Sequence, residues 1–293
     1  MKKSIKPCLP TILLNIIALT IGFVSATQAS ETSPVDNSVI ELQRNNLADN
    51  TSGLGFGPQS PRDISNKTGE NSIIFGQAPD SSKMNLCNIH FHKNAEHRGG
   101  EFTRYAGNGD GQGYQSGYLY SGKALNSEEL ERLPNDVCVG NHGGLNSGDT
   151  IEVHYVYSSA KIQPGPTLGA CLSDSIANPQ LRVEAQVYVL VNDTRALDFN
   201  EISIFERVSG KYQAPNTPNN TGNPVEYIGS TTGPSYNEQG SPFQVSWSVR
   251  PRVAKVDVNS IGTWCQGNVF EESHAHGVRN LVINPDLLSQ MNK

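Results

Sequence analysis

The chain contains seven histidines among 293 residues, and three of them fall in "NIHFHKNAEH" (88–97). His90 and His92 flank a single Phe. On an extended strand successive side chains point to opposite faces. His90 and His92 would then share a face, with Cα atoms ~6.7 Å apart, while Phe91 takes the other. A second run, "TIEVHYVY" (150–157), carries His154 in the same alternation. Three imidazoles from neighbouring strands suit a zinc ion at ~2.0–2.1 Å, with the fourth tetrahedral position left to solvent; such an open site is catalytic rather than structural. Glu152 stands two residues before His154, and Asn88 two before His90. Each is placed to accept the second ring hydrogen bond of a ligand imidazole, which fixes its tautomer and aims its lone pair. The plainer alternative is a solvated His-x-His pair with His154 as a core histidine. The accompanying acceptors and the second strand favour the metal.

Such ligands need strands to hold them, and the sequence supplies strand signals. "NLCNIHFH" (85–92), "TIEVHYVY" (150–157), "LRVEAQVYVLVND" (181–193), "EISIFERV" (201–208) and "FQVSWSV" (243–249) alternate with period two and are rich in β-branched or aromatic residues. "NSEELERL" (126–133) reads as the clearest helix, capped by Asn126 or Ser127. "GNGDGQGYQSGY" (107–118) and "APNTPNNTGNP" (214–224) read as turn-rich loops. The first of these lacks both the EF-hand spacing and the P-loop Lys-Ser/Thr, so it is expected to be a plain flexible loop. Residues 30–70 are rich in Asn, Ser, Pro and Gly without a helical period. Residues 30–56 are therefore expected to be an arm over the body, partly disordered at its start. The expectation is a mainly β, α+β protein. One domain over 57–293 would be built around a large twisted, mostly antiparallel sheet with a few short helices.

The bulk numbers limit the partners. Lys2, Lys3 and Lys6 precede an apolar stretch from Ile12 to Val24, and the small residues of "VSATQAS" follow. That order is expected of a secretory signal peptide over residues 1–29, cleaved after Ala26 or Ala29, which places the mature chain in the periplasm or outside the cell. Cys8 lies ahead of the apolar core, the wrong place for a lipid attachment. Without the three leader lysines the charge is 19 − 28 = −9. This speaks against nucleic acid and against anionic membrane surfaces as partners. Cys87, Cys138, Cys171 and Cys265 contain no CxxC pair and are expected to form two disulfides, paired as Cys87–Cys138 and Cys171–Cys265, rather than a thiolate zinc site. The sequon at Asn66 matters only in a glycosylating pathway.

The histidine segments also carry a family resemblance. "HFHKNAEH" followed by "EVHYVY" resembles the zinc motif of α-class carbonic anhydrases. "LCNIHFHKNAEHRGGEF", with "YSSAKIQPGPTLGACLS" after the third His, is more similar to the δ class and its bacterial relatives. "GPQSPRDI" (57–64) resembles the Gln-Ser-Pro segment near the start of α-class domains, and "YIGSTTGP…VSWSV" (227–249) resembles their paired-threonine run and following strand. The gap between His92 and His154 is longer than in the α class. The Leu before the two threonines is missing, and an insertion, "SYNEQGSPF", follows them.

The resemblance implies zinc-dependent, reversible hydration of carbon dioxide to bicarbonate and a proton, by attack of zinc-bound hydroxide. His90, His92 and His154 would hold Zn²⁺, with Co²⁺ a workable substitute. Thr231 would accept the hydroxide's hydrogen bond and Glu96 would orient it, with Thr232 flanking the bicarbonate; the missing Leu leaves open which threonine is the orienting one. Val156 and Trp247 would line an apolar CO₂ pocket, and His97 would be structural, joining Glu152 and Asn88 behind the ligands. His142, His274 and His276 are candidates for proton exit, and "ESHAHG" (272–277) is expected at the rim rather than as a rival metal site. The alternatives are a catalytically inactive binding module on the same scaffold and an exported zinc-binding protein.

Overall fold

A computed structural model describes residues 33–73 and 75–291. The expected signal peptide and its cleavage site lie outside these residues. The elements, in chain order, are α1 (Asn37–Asp49), β1 (Asn85–Lys93), β2 (Arg104–Tyr105), β3 (Tyr118–Leu119), β4 (Val137–Gly140), β5 (Gly143–Leu145), β6 (Thr150–Ser158) and β7 (Leu181–Val191). There follow α2 (Phe199–Ile202), β8 (Glu206–Val208), β9 (Lys211–Gln213), β10 (Val225–Ser230), β11 (Gln244–Val249), β12 (Ala254–Asp257) and α3 (Val258–Trp264).

A mixed sheet in the order β1-β6-β7-β11-β10 carries the fold. β1, β6 and β7 pair antiparallel, as do β10 and β11. β7 uses its other edge twice. Residues 182–185 pair parallel with β11, and residues 188–191 pair parallel with β12. Both faces are covered, so β6 is buried along its whole length. One core holds Ile89, Phe91, Val153 and Tyr155. The other holds Cys87, Val156, Val183, Ala185 and Trp247. The second side of the sheet also carries the histidines.

Four of the five expected strands form. The exception is 201–208, where the first residues belong to α2, capped by Asp198, and only Glu206–Val208 is extended, in an exposed hairpin with β9. The expected helix over 126–133 is a single turn. Its capping pattern is made, with Glu129 N donating to Asn126 Oδ1 at 2.9 Å and Asn126 N to Glu129 Oε2 at 3.0 Å. Propagation stops because Leu133 N donates sideways to Asn146 Oδ1 and Pro134 follows.

The arm read as lacking a helical period contains α1, a 13-residue helix. Its inward positions are Ile40, Gln43 and Leu47. The middle one is polar: Gln43 donates to Gly111 O at 2.8 Å and accepts from Asn280 Nδ2 at 2.6 Å. A buried glutamine satisfied by a distant carbonyl and a distant side-chain amide hides an apolar stripe from the sequence.

The disulfides are Cys87–Cys171 and Cys138–Cys265, which corrects the expected pairing. Connectivity follows tertiary neighbourhood. Cys87 on β1 meets the segment after β6, and Cys138 on β4 meets the end of α3. Bridges of this kind fit an exported protein. Among the described residues no helix is long and apolar enough to cross a membrane.

Candidate metal centre

The register of β1 against β6 sets His90 opposite His154 and His92 opposite Glu152. Direct cross-strand partners are close enough for their side chains to touch, and here the three imidazoles converge. Their ring centroids lie 4.7–5.3 Å apart. One nitrogen from each ring falls within 4.8 Å of the others.

The partners of the outward nitrogens fix the tautomers. His90 Nδ1 is 2.6 Å from Asn88 Oδ1, an atom identified as oxygen because Asn88 Nδ2 donates to Gly165 O. His92 Nδ1 is 2.9 Å from Gly277 O. His154 Nε2 is 3.0 Å from Glu152 Oε1. All three partners only accept, so each of these ring nitrogens carries the proton. The remaining nitrogens, His90 Nε2, His92 Nε2 and His154 Nδ1, are bare lone pairs. His90 Nε2 and His154 Nδ1 face each other at 3.1 Å, and His92 Nε2 is buried without a hydrogen-bond partner. Two facing lone pairs and an orphaned third are unfavourable unless a cation sits among them. The 3.1 Å separation is close to the ~3.3 Å edge of a tetrahedron with bonds of 2.0–2.1 Å. The donor set fits a borderline ion such as Zn²⁺.

Electrostatics keep the rings neutral. Burial pushes His90 well below the usual imidazole range, helped by neighbouring His154. Burial likewise takes His92 down to about 4 and lowers His154. Neutral rings are the form that binds metal. Behind them Glu152 is fully buried. Burial opposes its charge, but His97 and the hydrogen bond from His154 outweigh that and hold its carboxyl well below the usual range. Glu152 accepts from His97 Nδ1 at 2.6 Å and from the backbone of Glu96 and His97 at 2.7 and 3.1 Å. His97 is hydrogen-bonded at both ring nitrogens. Its Nε2 lies 2.7 Å from Tyr227 Oη, and Trp247 packs edge-on to it.

The imidazoles open into a cavity of about 270 Å³. Thr231, Thr232 and Glu96 all line it. The threonine–Glu96 hydrogen bond implied by the resemblance is not made. Glu96 Oε1 accepts Arg279 N at 2.8 Å instead, and Thr232 Oγ1 is buried with no partner. Burial raises the Glu96 carboxyl pKa.

The threonine segment is anchored from behind by "GPQSP". Ser60 and Ser230 exchange backbone-to-hydroxyl bonds at 3.1 Å in both directions. A side chain at Gly229 would meet Ser60 Oγ at 2.0 Å, so this close approach requires glycine.

Val156 and Trp247 are buried in the core behind His154 and do not line the cavity. Its apolar surface comes from Leu168, Pro234 and Tyr114. These residues, with Thr167 and Glu272, escaped sequence reasoning because they lie on irregular segments with no periodicity.

Of the expected proton-exit candidates, His276 lines the cavity and pairs with Glu272 at 2.8 Å. It arrives there because its backbone bonds along β1, with His276 N donating to Phe91 O and Lys93 N to His276 O. The Glu272 hydrogen bond raises its pKa. His142 stacks on Tyr114 at 3.4 Å, one layer out, and His274 lies outside the lining.

A search of curated proteins returns no match. Among solved structures the chain is similar to the alpha-carbonic anhydrase of Photobacterium profundum, at 16% identity over 85% of this chain and 96% of that one, with a TM-score of 0.26. It is also similar to a halotolerant carbonic anhydrase from Dunaliella salina, at 15% identity over 83% and 96%, with a TM-score of 0.28. A model of the delta carbonic anhydrase family matches residues 81–260, more than half of the sequence. The chain belongs to the delta carbonic anhydrase family.

Proposed function

We propose that the protein is a zinc-dependent carbonic anhydrase, interconverting carbon dioxide and bicarbonate in an exported compartment. The observation that carries this reading is the convergence of three bare imidazole nitrogens at the floor of an open cavity. His90, His92 and His154 would hold the ion, and Zn²⁺ bound by three neutral imidazoles lowers the pKa of a coordinated water to about 7, supplying a nucleophile near neutral pH.

The chain's own groups supply the rest. Asn88, Gly277 O and Glu152 hold the three rings in the metal-binding tautomer. Thr232 offers a buried hydroxyl with no competing partner, which suits it to orient the attacking oxygen; Thr231 is the second candidate beside it. Leu168 and Pro234 give a neutral, apolar substrate a surface it does not have to desolvate. His276, its side chain half-exposed at the rim and its Nε2 held by Glu272, is placed to pass a proton to solvent.

The test measures metal content and CO₂ hydration for wild type and His154→Ala. The expected result is about one zinc per chain, with hydration lost in the variant along with most of the metal. Metal bound without turnover would mark an exported zinc-binding protein. A folded protein with neither metal nor turnover would mark an inactive module. Either outcome overturns the proposal.

A further inference from the structure

The segment between β6 and β7 is fastened to β1 at adjacent points. Cys87 is bonded to Cys171. Gly165 N donates to Cys87 O at 3.0 Å, and Asn88 Nδ2 donates to Gly165 O at 3.1 Å. The pairing of β1 with β6 shifts register between Leu86 and Asn88, so Cys87 is the extra residue of a bulge. Leu86, Ile89 and Phe91 pack into one core, whereas Cys87 packs into the other with Val156 and Cys171. The bulge thus turns two consecutive residues, Cys87 and Asn88, to the histidine side of the sheet. Cys87 holds the loop there, and Asn88 joins that loop to a ligand ring, its Oδ1 accepting from His90 Nδ1 at 2.6 Å.

Between the fastening points the chain delivers Thr167 and Leu168 to the cavity wall. Thr167 is held at φ 57°, in the left-handed region, by its Oγ1 accepting Gly169 N at 3.1 Å. A β-branched residue adopts that conformation only where its surroundings impose it. Leu168 stands in the cavity, while the sequence lacks the leucine that the α-class pattern places before its paired threonines.

We propose that the loop Gly165–Cys171, clamped by the Cys87–Cys171 disulfide, is a positioning element of the metal centre, acting on His90. Through Asn88 it fixes the ring of His90, and through Leu168 it supplies apolar wall. Both cysteines are fully buried. The bond is therefore a clamp set during oxidative folding and not a surface switch. The inference rests on the reading of the histidine triad as a metal centre.

The test compares Co²⁺ binding, by titration and visible absorption, in wild type, in Cys87→Ala/Cys171→Ala and in Cys138→Ala/Cys265→Ala. Far-UV circular dichroism and Tm report the fold of each. Both double variants are expected to melt earlier. Only Cys87→Ala/Cys171→Ala is expected to lose Co²⁺ affinity, by about 10–100-fold, the usual scale for removing support of a ligand, and to change the Co²⁺ absorption bands. Equal affinity and spectra in the two double variants overturn the proposal. Should the first variant not fold, Asn88→Ala with both disulfides intact decides, since it must show the same loss of affinity; retained affinity overturns the proposal. Wild type that binds no Co²⁺ overturns the metal reading itself, an outcome distinct from wild type binding as well as the clamp variant.

Discussion

Replacing Glu152 by Gln keeps the shape of the side chain, removes its charge and turns one of two acceptor oxygens into a donor. In the native protein Oε1 accepts from His154 Nε2 (3.0 Å) and His97 Nδ1 (2.6 Å), while Oε2 accepts from the backbone of Glu96 (2.7 Å) and His97 (3.1 Å). Backbone N–H groups cannot become acceptors. The amide oxygen must therefore face them, and the NH₂ must face the two rings. His154 then moves its proton to Nδ1, the atom that faces His90 Nε2 at 3.1 Å. Restoring a bare Nδ1 for metal sets two donors against each other between buried side chains. Losing one hydrogen bond to a charged group costs about 1.5–3 kcal/mol, which at ~1.4 kcal/mol per decade is a 10–100-fold weaker hold on zinc. Competition with a chromophoric chelator at neutral pH reads that ratio directly. A Glu152→Gln protein that binds Zn²⁺ within twofold of wild type refutes the claim that this carboxylate sets the ligand tautomer.

The same logic gives two more predictions. In the metal-free protein His90, His92 and His154 sit below the usual imidazole range, chiefly through burial, and His92 is down at about 4. Between about pH 6.5 and 4 the unfolded chain binds more protons at these rings than the folded one, so stability must fall as pH falls, by on the order of 3 kcal/mol for His92 alone. Glu152, held below its usual range, acts in the same direction at lower pH, and Glu96, raised by burial, acts in the opposite one. Denaturant unfolding of chelator-treated protein across this range checks the sign, and flat or rising stability on acidification counts against it. Thr232→Val should lower kcat/KM for CO₂ hydration about 10–100-fold with zinc affinity unchanged, and more than Thr231→Val does, because only the Thr232 hydroxyl is buried without a partner. The reverse order in steady-state assays would assign the orienting role to Thr231.

The histidine cluster was legible because strand geometry is local. Alternation alone puts His90 with His92 and Glu152 with His154, and the structure adds only the register that sets one pair across from the other. The resemblance put Val156 and Trp247 in the substrate pocket; they share the histidines' side of the sheet but lie in the core behind His154. Period-two reasoning gives the face of a side chain, not whether a cavity or a neighbour covers it. Helix α1 escaped because a buried Gln43 interrupts its apolar stripe, and the turn at 126–133 looked like a helix because its cap is made although nothing extends it.

By itself the sequence determined the sheet strands β1, β6, β7 and β11, the histidine triad with its acceptors Asn88 and Glu152, the export-compatible cysteines and the resemblance to carbonic anhydrases. Only the tertiary structure decided which cysteines pair, which loop carries Leu168 to the cavity and that His276 comes alongside β1. Those contacts join segments far apart in the chain: Cys87 with Cys171, and Phe91 with His276. Such pairings are selected by the burial and hydrogen bonding of the whole fold, and no local pattern of residues encodes them.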